Sequence, residues 1–385
     1  MRHLRHSTLP ELHRSHNLLI VTVPTTTSTR SPEASVLSIP STPEKTLAGM
    51  DTPFSGSPEL LEHLHSVLPH AERAQLRSSV LPSLLNAIAK IALTLQNSQH
   101  VALAGSSNTF GDDQLNVDVS AEKHLREALA ECPSVATASS EEDPIETPVV
   151  HASGIAAISG EKYTVAFDPL DGSSIIAPNW TVGTILGIWD GESALGQSPR
   201  EKQIAAILGV FGPRTTAIVA VRIPGSAPSC FEIGLGGDQQ GRTWDMVRSN
   251  VQLASPPYKT RYLAPANLRA AAEYPTYIQL VMQCVLEKYT LRYSGGLVPD
   301  VVHALVKGHG VYVSPVTMAS QAKLRRLYEL CPVALIVECA GGAAVNSVDG
   351  SRVLDAALEN TDERGGLVCG NADEVDRAIR MLLEL

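Results

Sequence analysis

An α/β fold of layered sheets and helices is what the sequence predicts, on three observations. One long segment repeats apolar residues at helical spacing, and several short segments are β-branched and aromatic. The two kinds interleave along the chain instead of segregating into separate runs. The length of 385 residues suits two ordinary domains or one large α/β unit.

In chain order, Leu81, Leu84, Leu85, Ile88, Ala92 and Leu95 form one apolar stripe and predict a helix. A second helix is expected over Val119 to Ala130, with Leu125 and Leu129 inward. Tyr163 to Phe167, Thr184 to Trp189 and Thr215 to Val221 read as strands. The Gly-heavy, polar stretch Gly234 to Gly241 reads as loop and as a domain boundary. Beyond it come a strand near Leu291 to Tyr293, a helix opened by Pro299 and a strand at Gly310 to Val313. A helix over Gln321 to Leu330, a strand at Leu367 to Cys369 and a helix from Glu374 to Leu383 complete the pattern. The division expected is an extension at 1–55, a subdomain at 56–240 and a second at 241–385.

The net charge of −10 argues against nucleic acid or an anionic membrane as partner. It leaves an anionic substrate open, because a bound divalent cation reverses the field inside a site made of carboxylates. The six cysteines form no C-x-x-C pair, which suits buried thiols in a reducing compartment. No apolar run is read as a membrane helix; Asn17 to Val23 is the nearest N-terminal candidate and is too short. The first 50 residues hold 15 Ser or Thr but only three acids. They read as a disordered extension, with a mitochondrial transit peptide or a true start at Met50 as alternatives. The expected location is accordingly cytoplasmic, or mitochondrial if that segment is a leader.

The sharpest motif is Phe167-Asp168-Pro169-Leu170-Asp171-Gly172-Ser173-Ser174. A strand delivers Asp168 at its end, Pro169 stiffens the turn, and Asp171 follows three residues on. Two carboxylates so close repel unless cations lie between them, and hard oxygen ligands suit Mg²⁺ or Mn²⁺. Gly172 lets the backbone approach a ligand, and the amides at Ser173 and Ser174 can receive an anion. Metal ligands followed directly by a phosphate cradle are what metal-assisted phosphate hydrolysis requires. An isolated D-x-x-D-G is also a common solvated turn, so the other acids matter. Glu141 and Glu142 precede Asp143-Pro144, Asp112 and Asp118 lie in a second acidic segment, and Glu329 falls near the end of the helix finishing at Leu330. His303 and His309 read as packing or surface histidines.

At these residues the sequence resembles the fructose-1,6-bisphosphatase and sedoheptulose-1,7-bisphosphatase family. The resemblance covers about residues 75 to 375. It rests on Gly111 to Asp118, Ser140-Glu141-Glu142, Phe167 to Ser174, Asn179-Trp180-Thr181-Val182-Gly183-Thr184 and Gly212-Pro213-Arg214-Thr215-Thr216. It continues through Glu287 to Gly296, Lys323-Leu324-Arg325 and Cys339-Ala340-Gly341-Gly342. The Asn-aromatic-Thr-Val-Gly-Thr, Gly-Pro-Arg-Thr-Thr and Glu-Lys-Tyr-Thr-Leu-Arg-Tyr segments look more like the sedoheptulose enzyme than the fructose enzyme.

The resemblance implies a layered α-β-α-β-α sugar-phosphatase fold with two fused α/β subdomains. It implies Mg²⁺-dependent hydrolysis of the 1-phosphate of a sugar bisphosphate, sedoheptulose 1,7-bisphosphate in first place, with two or three Mg²⁺ per site. A fructose-1,6-bisphosphatase or dual-specificity enzyme is the alternative, and a non-catalytic metal-binding relative is the alternative of another class. By position, Glu141, Glu142, Asp168, Asp171, Glu329 and the Leu170 carbonyl match metal ligands. Asp112 and Asp118 match acids that, with Glu142, position or deprotonate the attacking water. Gly172, Ser173 and Ser174 match the 1-phosphate loop, and Asn267, Arg292, Tyr293 and Lys323 match contacts to the distal phosphate and sugar. An arginine reaching in from a neighbouring subunit implies a homo-oligomer. Ser314 stands where the fructose enzyme has a tyrosine, and Ala102 to Ser107 lack the cysteine pair of the plastid sedoheptulose enzymes.

Overall fold

The computed structural model describes residues 54–107, 113–151, 160–238 and 241–385. The expectations for the first 50 residues and for Asp112 lie outside the described residues.

Two main sheets and three helical layers alternate. The larger sheet has eight strands. From one edge they are Gly241–Arg248, Ser229–Asp238, Thr215–Val221, Gln203–Phe211, Val182–Asp190, Tyr163–Asp171, Val135–Ser140 and Thr147–Pro148. All neighbours are antiparallel except Val135–Ser140 and Tyr163–Asp171, which run parallel. Both faces are covered, so alternate residues feed two cores. Leu186 and Ile188 enter the core under the helices Leu81–Asn97 and Asn116–Ala130. Ile185 and Trp189 enter the core shared with Leu297–Lys307 and Cys331–Cys339.

Those last two helices lie between the sheets. The second sheet orders Thr290–Leu291, Tyr262–Pro265, Val311–Ser314, Leu367–Gly370 and Ala343–Val345. Pro275–Leu286 and Ala372–Leu383 close its far side through Tyr277, Leu280, Val375 and Ile379. The result is the expected α-β-α-β-α layering.

Several expectations are corrected. Gly234 to Asp238, and Gly241, are strand and not loop: they pair between Ser229–Asp238 and Gly241–Arg248, and that pairing outweighs the local glycine content. The strand at Leu291 to Tyr293 is only Thr290–Leu291. The helix over Gln321 to Leu330 is replaced by a short strand, Leu324–Arg325, a wide π-helical turn, Arg326–Leu330, and the helix Cys331–Cys339. Glu329 therefore opens a helical segment instead of ending one. The central strand runs on through Asp171, with an irregularity between Asp168 and Asp171 where Pro169 cannot donate to the ladder. The continuous helical stretch Ala71–Asn97 is long and apolar enough to cross a membrane by length and composition, contrary to the expectation that no run approaches this. Its apolar stripe, including Leu81, Leu84, Leu85 and Ile88, is spent on the core.

Candidate active site

The acids meet at the carboxyl ends of the two adjacent parallel strands. Glu141 and Glu142 follow Val135–Ser140, and the Glu141 amide donates to the Phe167 carbonyl at 3.0 Å. Asp168 and Asp171 end the neighbouring strand, and Glu329 reaches in from the π-helical turn. Carboxylate oxygens of Asp168, Asp171 and Glu329 all lie within 4.8 Å of one another, and all three residues are buried.

Each is held by the backbone. The Leu170 amide donates to Asp168 Oδ1 at 2.9 Å, and the Thr184 hydroxyl donates to the Asp168 carbonyl at 3.0 Å. Asp171 accepts the first two amides of the Leu297–Lys307 helix, Leu297 at 3.1 Å and Val298 at 2.7 Å. The Arg325 amide donates to Glu329 Oε2 at 2.5 Å.

Burial, then repulsion from Glu141, Asp171 and Glu329, pushes the Asp168 carboxyl well above the carboxylate range. Burial and Glu141 do the same to Glu329. Burial lifts Asp171 to about 6, against the helix amides, which lower it. Beside them, burial and the charges of Asp118 and Glu141 raise Glu142 to about 7, opposed by the Gln114 amide, which donates to Glu142 Oε2 at 2.5 Å. Burial and Glu141 raise Asp118 to about 6, and its Oδ1 is buried with no hydrogen-bond partner among the described residues.

The Arg325 guanidinium opposes this charge. Arg325 is 1% exposed; its Nε donates to Glu141 Oε1 at 3.1 Å and its Nη1 to Asp362 Oδ1 at 2.7 Å. A single cation among Glu141, Asp168, Asp171 and Glu329 leaves net negative charge out of water, which is costly unless further cations or protons compensate. The all-oxygen donor set fits a hard divalent cation. Sequence reasoning leaves Arg325 out of the site; its signal is the Lys-Leu-Arg segment, whose inward third residue only the fold reveals.

Gly172 follows at φ +92°, a region an L-side chain rarely enters. A Cβ there would lie 3.3 Å from Val182 Cγ1 and 3.4 Å from Ile175 Cγ1. Ser173 and Ser174 start the four-residue turn of helix Ser173–Ile176 and are exposed.

The remaining residues separate. The Tyr293 hydroxyl faces the backbone N–H of Asn267. The Asn267 side chain is engaged internally, with Nδ2 donating to the Pro315 carbonyl at 2.7 Å and Oδ1 accepting from Ser320 at 2.6 Å. Lys323 is exposed. Arg292 lies over the Tyr262 ring and, with Tyr293, lines a cavity of about 930 Å³ beside Trp180, Arg214 and His303. None of the clustered acids lines that cavity. His309 is a packing histidine: Nδ1 accepts the Tyr262 amide at 3.1 Å and Nε2 faces Glu374. All six cysteines are buried and unbridged.

Comparison with known proteins gives the family. Residues 63–236 match the fructose-1-6-bisphosphatase N-terminal domain, and residues 256–383 match its C-terminal domain. A Chlamydomonas reinhardtii protein named chloroplastic sedoheptulose-1,7-bisphosphatase is 41% identical over 272 residues, 70% of this chain and 64% of that protein. The Spinacia oleracea protein of the same name is 38% identical over 70% of this chain and 65% of its own length. The chain thus spans just under two thirds of these relatives. A Syntrophotalea carbinolica class 1 fructose-1,6-bisphosphatase is 36% identical over 74% of this chain and 82% of its own length. Among solved structures, a Toxoplasma gondii protein given the provisional description sedoheptulose-1,7 bisphosphatase superposes with a TM-score of 0.69 at 35% identity, covering 82% of this chain and 99% of that one. A Leishmania major fructose-1,6-bisphosphatase, at 23% identity and a TM-score of 0.71, shares the fold. With a relative matched over most of its length and both domains found in order, the chain belongs to the fructose-1,6-bisphosphatase family.

Proposed function

We propose that the protein is a sugar bisphosphatase that hydrolyses the 1-phosphate of sedoheptulose 1,7-bisphosphate to sedoheptulose 7-phosphate and phosphate. The observation that carries the reading is the trio Asp168, Asp171 and Glu329, buried within 4.8 Å and followed directly by the Gly172 turn. The names of the plant and algal relatives favour sedoheptulose over fructose. The class 1 fructose-1,6-bisphosphatases keep fructose 1,6-bisphosphate as the second reading.

Glu141, Glu142, Asp168, Asp171, Glu329 and the Leu170 carbonyl would hold the cations, Mg²⁺ by preference, in the number two or three. Held there, such cations would supply positive charge to offset the phosphoryl group and the leaving sugar oxygen. The chain supplies the rest. The Gly172 turn and the exposed Ser173 and Ser174 hold the 1-phosphate against the carboxylates. Asp118 and Glu142 are assigned to exchange a proton with the attacking water; in the metal-free protein burial raises them to about 6 and about 7. Asp112 is assigned to the same task by position. Asn267, Arg292, Tyr293 and Lys323 are assigned to the distal phosphate and sugar, and the protein to a homo-oligomer; Arg292 and Tyr293 line one cavity, which supports a shared role. We divide the subdomains after Arg248, because Gly241–Arg248 pairs in the first sheet. We place the protein in the cytoplasm. A leader in the first 50 residues is the second reading, favoured by relatives named as chloroplastic, and a shortened N-terminus in the native protein selects it.

Phosphate release from sedoheptulose 1,7-bisphosphate, fructose 1,6-bisphosphate and an inositol phosphate, with Mg²⁺ and with EDTA, tests the reading. Release from the sedoheptulose ester above the other two, abolished by EDTA, is expected. Release indifferent to EDTA, or none from any bisphosphate, overturns it.

A further inference from the structure

We infer that Asp300, a buried carboxylate outside the acidic cluster, is the positioning residue for Tyr293, and through it for the sugar end of the substrate; this rests on the reading above. Asp300 lies in the first turn of Leu297–Lys307 and is 6% exposed. Its Oδ1 accepts the Ser294 amide at 2.6 Å and its Oδ2 the Gly295 amide at 3.3 Å. The Ser294 hydroxyl in turn accepts the Gly296 amide at 3.3 Å. The turn so held contains Gly295 at φ +105°, a conformation that no repeating secondary structure would maintain.

On the other side of Tyr293 the chain is anchored differently. The Thr290 amide donates to the Arg261 carbonyl at 2.8 Å and the Arg292 amide to the Leu263 carbonyl at 2.9 Å. Tyr293 is thus the single residue between a sheet anchor and a carboxylate anchor. It is 43% exposed, with its hydroxyl facing the Asn267 amide. The hydrogen bonds that hold Asp171 are separate ones, from the Leu297 and Val298 amides of the same helix, and Asp300 reaches Asp171 only through its charge. Val298, Val301 and Leu305 fix that helix in the core whether or not Asp300 is charged. Loss of the Asp300 clamp therefore loosens the sugar end and leaves the metal end in place.

Asp300→Asn keeps the volume but sets an amide N–H₂ against one of the two backbone donors. Steady-state kinetics with sedoheptulose 1,7-bisphosphate should show KM raised about tenfold, with kcat within about threefold and Mg²⁺ half-saturation within about twofold. In a Tyr293→Phe background the added effect of Asp300→Asn on KM should shrink to less than about twofold, because both act on one group. Ser294→Ala, a milder cut in the same clamp, should raise KM in the same direction and serves if Asp300→Asn does not fold. A KM unchanged in the folded variants overturns the inference. So does a joint fall of kcat, Mg²⁺ affinity and Tm, the mark of a merely structural role. A wild-type protein without bisphosphatase activity overturns the functional reading, and the inference with it.

Discussion

Charge is the governing quantity at the scale of single residues. Asp168, Asp171 and Glu329 are held together although burial and repulsion from neighbouring carboxylates, Glu141 among them, raise all three above the carboxylate range. Glu141→Gln and Asp171→Asn should each reduce turnover by on the order of 10²–10³-fold at saturating Mg²⁺ with the fold intact. Circular dichroism and phosphate release on the same preparation check this, and full activity would remove these residues from the site. Arg325 is the opposite case. Replacing it with methionine leaves Glu141 without its buried counter-charge, which should cost about 3–5 kcal/mol in the metal-free protein. Added Mg²⁺ should restore part of that loss; a thermal melt with and without the cation reads both numbers.

Among the elements, strand Val182–Asp190 and helix Leu297–Lys307 meet in a tight contact beside Asp171. A Cβ on Gly183 would lie 2.4 Å from Val298 Cβ. Gly183→Ala should therefore push the helix start outward and cost about 1–3 kcal/mol. Because the Leu297 and Val298 amides hold Asp171, the same variant should bind Mg²⁺ more weakly. Calorimetric titration showing native affinity would separate the helix from the acid. Element placement is partly legible in sequence. The stripe from Leu81 to Leu95 marks its helix because every third or fourth residue has to face one core. Gln203–Phe211 and Ser229–Asp238 carry no such mark, since strands buried on both faces, or rich in glycine, lose the polar alternation that reveals a strand. The start of the Glu329 segment is misplaced in sequence because Gln321 to Arg325 looks helical locally, yet Leu324–Arg325 pairs with Arg364–Gly365, about forty residues away along the chain.

For the whole molecule, folding and cation binding are linked through protons. Asp171 and Asp118 at about 6 and Glu142 at about 7 stand above the ordinary carboxylate values of about 4. The folded, metal-free protein thus binds more protons than the unfolded chain between about pH 4 and pH 7, so its stability falls as pH rises through that window. A divalent cation must displace those protons, so its binding strengthens over the same range. The rise in Tm on adding Mg²⁺ should be larger at about pH 7.5 than at about pH 5.5. Equal shifts at both would show that these carboxylates do not share the cation.

The sequence by itself determined the α/β class, the Asp168 to Ser174 motif and the residue types proposed for a metal-assisted phosphate site. Those depend on periodicity and on chemistry that is local to a few consecutive residues. Only the tertiary structure decided that Glu329 joins Asp168 and Asp171, that Arg325 turns inward against Glu141, and that Arg292 lines a different cavity. Convergence of residues as far apart in the chain as Asp168 and Glu329 is fixed by how strands order in a sheet and which helix crosses their ends. No spacing along the chain encodes that.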